Sequence, residues 1–122
     1  MDYLIKWSEL DHSAYCLSLL FTYRDFSSGV LGIAWVAQPE LEVPGGICSE
    51  RVLLPDSDQH MCFNTALVTF LNFGRRVPRK VSTITVMHEF GHNFGSEVSM
   101  HIPNVANFLT VCNLTEISGI FR

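Results

Sequence analysis

The stretch Val86-Met87-His88-Glu89-Phe90-Gly91-His92 constrains this chain more than any other, because its residues ask for two incompatible backbones. Val81, Thr83, Ile84, Thr85 and Val86 are β-branched and on propensity favour a strand. Ile84, His88 and His92 fall four residues apart, the period that stacks side chains on one face of a helix. Gly95 stands where such a helix would end. The chemistry of the two histidines decides the matter in favour of the helix.

On a helix, His88 and His92 project from the same face one turn apart, close enough for both imidazoles to bind one metal ion. Glu89 is displaced around the helix, where it reaches a metal-activated water without ligating the metal. Zinc lowers the pKa of such a water to about 7, and the carboxylate can take its proton and return it to a leaving amine. The chemistry implied is zinc-assisted peptide hydrolysis. A bare H-E-x-x-H also arises by chance, and a lone histidine on an apolar face is ordinarily a core residue. Here Phe90, Gly91, Asn93, Phe94 and Gly95 extend the pattern beyond the bare motif.

With 122 residues, 48% of them hydrophobic, the chain has the material for one packed domain. A net charge of -4 argues against a nucleic-acid partner. The one basic cluster, Arg75, Arg76, Arg79 and Lys80, reads as a solvated loop around Val77-Pro78. The first ten residues lack the pattern of a signal peptide, and the longest apolar run, residues 16–21, is too short for a membrane span. Cys16, Cys48, Cys62 and Cys112 form no C-x-x-C pair and leave three pairings open. Asn113-Leu114-Thr115 is a glycosylation sequon, a short pattern that leans towards the secretory pathway.

Along the chain, residues 1–12 are mixed and polar, a helix end or a frayed start. Residues 14–23 are aliphatic and aromatic throughout, as a strand buried on both faces would be. Residues 30–37 make a second strand, interrupted at Gly32 by a bulge or a close backbone approach. Residues 38–50 are loop, Pro55 to Asp58 a turn, and residues 61–74 an apolar element ending at Gly74. Residues 107–121 resume an apolar pattern compatible with a helix.

The segment "HEFGHNFGS" resembles the active-site helix and turn of the ADAM-family zinc metalloproteases, which are metzincins with the signature H-E-x-x-H-x-x-G-x-x-H followed by a Met-turn. "YCLSLLFTYRDFSSGVLGIAWVAQPE", "GGICSE", "NTALVTFLNFG" and "VPRKVSTITVMHEFGHNFGS" are similar to the kuzbanian-like branch, so residues 10–96 form a family-like core. The resemblance implies an α/β fold, a twisted mixed and mostly parallel sheet packed on the active-site helix. It implies zinc as cofactor, His88 and His92 as ligands, and Glu89 as catalytic base. Leu31 and Gly32 correspond to the cleft-side edge strand that pairs with an extended peptide substrate, a recognition mode in which main-chain bonds hold the peptide. From the residues alone, a glycine-relieved core strand is an equal reading of Gly32. The implied partners are protein or peptide substrates among cell-surface ectodomains, Notch-type substrates included, and the implied location is the cell surface or secretory pathway.

The chain also departs from that pattern. The third ligand is expected ten residues after His88, and that position holds Val98. His101 and Glu97 are the candidate substitutes, His101 the first choice. Residues 97–106 are divergent, and Met100 stands too close to the helix to be the Met-turn residue. Residues 107–122 resemble the end of the catalytic domain, so the sequence reads as truncated at its N-terminus with an internal deletion after the helix. The resemblance implies that the family's partners for Cys16, Cys48 and Cys112 fall in the missing stretches, leaving the usual disulfides unable to form, and a sheet without its first strands would expose an apolar edge.

Three readings follow. The chain is an ADAM-type zinc metalloendopeptidase with a replaced third ligand, a catalytically inactive fragment that binds peptides or the full-length enzyme, or a product without a stable fold.

Overall fold

A computed structural model describes residues 2–38, 40, 43–55 and 57–96. Val98, Glu97, Met100, His101, Cys112, Asn113 and the segments 97–106 and 107–122 lie outside them. Element order is α1 (Asp2–Ser8), β1 (Ser18–Thr22), a 3-10 turn (Ser27–Gly29), β2 (Gly32–Ala34), β3 (Arg51–Leu53), β4 (His60–Cys62), β5 (Thr65–Thr69), β6 (Leu71–Asn72), β7 (Arg75–Arg76) and α2 (Arg79–Asn93).

β5 is the axis of the fold, and all five of its residues are buried. It pairs in parallel with β1, Ser18 opposite Thr65 through Thr22 opposite Thr69. On its other side it pairs antiparallel with β2, Gly32 opposite Val68 through Ala34 opposite Ala66. The sheet is thus twisted and mixed, in the order β1-β5-β2. Two short hairpins, β3–β4 and β6–β7, complete the described strands. The α/β expectation and the mixed sheet beside a motif-bearing helix both hold.

The apolar core among the described residues is Leu4, Met61, Cys62, Ala66, Leu67, Val68 and Val77. A polar network joins it. Ser8 Oγ donates to the Leu4 carbonyl, lies 2.7 Å from Thr65 Oγ1 and accepts from Trp35 Nε1 at 2.9 Å, tying α1 and β5 to the residue that follows β2. Each polar group gains a partner as it leaves water, the condition under which burial is tolerable.

The strand expected over 14–23 shortens to β1, and it is not buried on both faces: Phe21 is 51% exposed. The reason is layering, since the described helices pack chiefly on β2, β4 and β5 and leave β1 less covered. Gly32 opens β2 rather than interrupting it. The element over 61–74 divides into the end of β4, β5 and β6, and closes in a turn where Phe73 and Gly74 both have positive φ. The basic cluster is no loop: Arg75 and Arg76 form β7, and Arg79 and Lys80 open α2, all four remaining solvated.

Cys16 and Cys48 are joined in a disulfide, a pairing the family pattern does not suggest, while Cys62 is buried and has no disulfide partner among the described residues. The bond brings the start of β1 to the 45–48 loop, where Cys48 N–H donates to the Cys16 carbonyl at 2.6 Å. No helix among the described residues is long and apolar enough to cross a membrane.

Candidate metal centre

α2 resolves the helix-strand conflict of its sequence, and it does so with polar residues. The side it buries runs through Ser82, Thr85, Glu89 and Asn93, at the three- and four-residue spacing of one helical face. It packs on β5 and β2. Ser82 and Thr85 satisfy their hydroxyls on carbonyls of the preceding turn, Pro78 and Val81. Asn93 Nδ2 donates to the carbonyls of Trp35 and Thr65, at 2.9 Å and 3.4 Å. The β-branched Val81 and Ile84 are left near the surface.

The C-terminal end of α2 is held from two directions. Ser96 N–H reaches the Gly91 carbonyl at 2.8 Å and Gly95 N–H the His92 carbonyl at 2.9 Å, with Gly95 at φ 79°, the paired bonds of a Schellman cap. Glycine suits that left-handed position because it carries no Cβ to clash. The loop after β2 supplies the second hold: Ala37 N–H donates to the His92 carbonyl and Ile47 N–H to the Asn93 carbonyl, each at 2.9 Å.

That anchored end carries both histidines. Their rings stand perpendicular, with centroids 4.6 Å apart, and the two Nε2 atoms approach to 3.0 Å. Zinc–imidazole bonds of about 2.0–2.1 Å at a tetrahedral angle place two nitrogens roughly 3.3 Å apart, so the pair fits two corners of one coordination shell. Partial burial, then the charge of His92, pulls the His88 pKa below its usual value and favours the neutral, ligating form. His92 Nδ1 is buried without a hydrogen-bond partner among the described residues.

Glu89 is 4% exposed. Burial pushes its carboxyl up to about 7, close to the value that serves a group exchanging protons at neutral pH. The carboxyl lies against Gly32: a Cβ on that glycine would overlap Oε1 and stand 2.7 Å from both Cγ and Cδ. The close approach at Gly32 is therefore made by the side chain of Glu89.

Leu31 lies just before β2, and its carbonyl accepts from Thr69 N–H at 2.9 Å. Trp35 N–H donates to the Thr65 carbonyl. By antiparallel alternation Leu31, Ile33 and Trp35 face β5, which leaves the main-chain groups of Gly32 and Ala34 on the outer edge. The structure thus gathers His88, Glu89, His92 and Gly32 into one region, with Leu31 beside them turned inward. Among the described residues no set of three or more His, Cys, Asp or Glu side chains is placed to hold a metal. His101 and Asn113 lie outside the described residues.

In the sequence Asn93 stands only as part of the extended motif, with no sign of its role in anchoring the helix to the sheet beyond its place four residues after Glu89, which continues the polar series at 82, 85 and 89.

Comparison with known proteins matches residues 4–118 to the M12B reprolysin-like metallopeptidase family. The chain is similar to human disintegrin and metalloproteinase domain-containing protein 10, 51% identical over 89 residues, covering 73% of this chain and 12% of the relative. It shows the same identity and coverage with the Xenopus laevis protein. The Caenorhabditis elegans homolog is 46% identical over 92 residues, covering 73% of this chain and 10% of the relative. The chain thus spans about a tenth of the length of the curated relatives it matches.

Proposed function

We infer the function of this chain from one premise: it belongs to the M12B reprolysin-like metallopeptidase family. The reading supported best is a zinc-dependent endopeptidase of the ADAM type, and the observation that carries it is the convergence of His88 and His92 Nε2 at 3.0 Å beside the buried carboxyl of Glu89. His88 and His92 are two ligands, and His101, or else Glu97, is the third in place of Val98. Zinc, when bound, supplies Lewis acidity that polarises a peptide carbonyl and makes water a stronger acid.

The chain's own residues do the rest. Glu89, in its ionised form, takes the proton of the attacking water and then delivers it to the leaving amine, so each turnover returns the carboxyl to its starting state. The desolvation that raises its pKa also makes it a better base than a solvated carboxylate. The outer edge of β2 offers the main-chain groups of Gly32 and Ala34 to an extended peptide, as an added strand. Leu31 borders that edge and helps shape it. Substrates of the ectodomain class, Notch-type proteins among them, and a cell-surface setting are proposed from the family resemblance. The alternative, a catalytically inactive fragment that binds peptides or the full-length enzyme, is favoured by one observation, the valine at position 98.

Zinc per chain after exhaustive dialysis, followed by a peptide-cleavage assay, separates the two. The peptidase reading expects one retained zinc, lost on His88→Ala, His92→Ala or His101→Ala, and cleavage abolished by Glu89→Ala. Retention unaffected by His101→Ala but lost on Glu97→Ala moves the third ligand to Glu97. No retained zinc, together with peptide binding that a chelator leaves unchanged, supports the inactive fragment and rejects the peptidase.

A further inference from the structure

Gly32 is not among the glycines with positive φ, so its backbone would accept an L side chain. Within a strand, glycine is a weak choice, since it loses more freedom on folding than alanine and packs nothing. What forbids a larger residue is space, because a Cβ would meet the Oε1, Cδ and Cγ of Glu89 closer than non-bonded atoms approach. The obstacle is a single side chain, and it is the one with proton-transfer chemistry in this region.

We infer that Gly32 is a positioning residue for Glu89: its bare Cα forms the recess in which the carboxyl lies against β2, between that strand and α2. β2 is itself fixed by its pairing with β5, Gly32 opposite Val68. α2 is fixed nearby through Asn93, whose side chain donates to the Trp35 carbonyl three residues along from Gly32. Two elements locked to each other thus meet where no side chain intervenes, and the carboxyl fills the gap. A methyl group there either turns Glu89 away from β2 or pushes the strand off the helix. The packing claim stands by itself; its consequence for turnover rests on the peptidase reading.

A double-substitution cycle tests it. Gly32→Ala should raise the thermal midpoint in the Glu89→Ala background, where the recess is vacated, and should lower it, or fail to raise it, in the wild-type background. Equal shifts in the two backgrounds overturn the inference. If Gly32→Ala alone does not fold, recovery of a cooperative transition in the double variant is the same positive result, and its failure to recover is the negative one. In the zinc-loaded chain, Gly32→Ala should lower kcat at least tenfold with KM within twofold, the pattern of a displaced base. A raised KM with unchanged kcat assigns Gly32 to peptide pairing and overturns the positioning role. If the wild-type chain cleaves no peptide, the peptidase reading fails and the midpoints still decide the packing claim.

Discussion

Glu89 couples the site to the stability of the fold. Unfolded, its carboxyl titrates near 4.5; folded, burial holds it at about 7. The folded state therefore binds the proton more tightly, and this contribution to stability is fully present below pH 4.5 and lost as pH rises through about 7. The loss amounts to up to ~3 kcal/mol. Glu89→Gln keeps the shape of the neutral acid, so in metal-free protein its thermal midpoint should match the wild type at low pH and exceed it above neutrality. Parallel midpoints from about pH 5 to about pH 8 would reject the buried-acid account. At this scale the sequence was informative where chemistry dictates spacing: His88 and His92 could be paired from their four-residue interval alone. It was silent where a residue matters through a distant neighbour. Nothing near Gly32 in the chain announces that its missing side chain makes room for Glu89, 57 positions on.

α2 was legible as a helix from its histidines and its terminal glycine, but the face it buries was not. A search for apolar periodicity selects Val81 and Ile84, which remain near the surface, and passes over Ser82, Thr85 and Asn93, which pack on the sheet. The polar face works because each hydroxyl finds a carbonyl one turn back and Asn93 finds two, one on β5 and one just after β2. Asn93→Ala should accordingly cost about 1–3 kcal/mol, since it strips donors from buried carbonyls. Urea denaturation of the metal-free chain measures this, and a change within error would show that the strands do not rely on it. Gly95→Ala should cost ~1 kcal/mol by forcing a side chain into the left-handed cap at φ 79°. Because that cap sits one turn beyond His92, zinc affinity should weaken in the same variant. The β-strand signals were right in kind and too long in extent. Hydrophobic runs mark what can be buried, whereas hydrogen-bonded neighbours decide where a strand stops.

The molecule as a whole is closed by the disulfide at one place and left open at another. Cys16 and Cys48 lie 32 residues apart, and tying a loop of that length restricts the unfolded chain by about 3–4 kcal/mol. Reduction, or Cys16→Ser with Cys48→Ser, should lower the thermal midpoint in proportion, and an unchanged midpoint would show the bond to be incidental. Sequence could not choose this pairing, because which cysteines meet depends on where the loop after β2 is carried. At the other margin β1 has one strand partner among the described residues, and Phe21 and Tyr23 stand largely exposed beside Phe70. Phe21→Lys should reduce self-association, read by light scattering at equal concentration. α2 packs over β5 and β2, so chains that stack through β1 would meet at the margin of the sheet opposite the strand that carries Gly32. Turbidity and metal uptake then become independent properties: a cloudy preparation can still titrate with zinc, and clearing it by mutation on β1 need not change the end point.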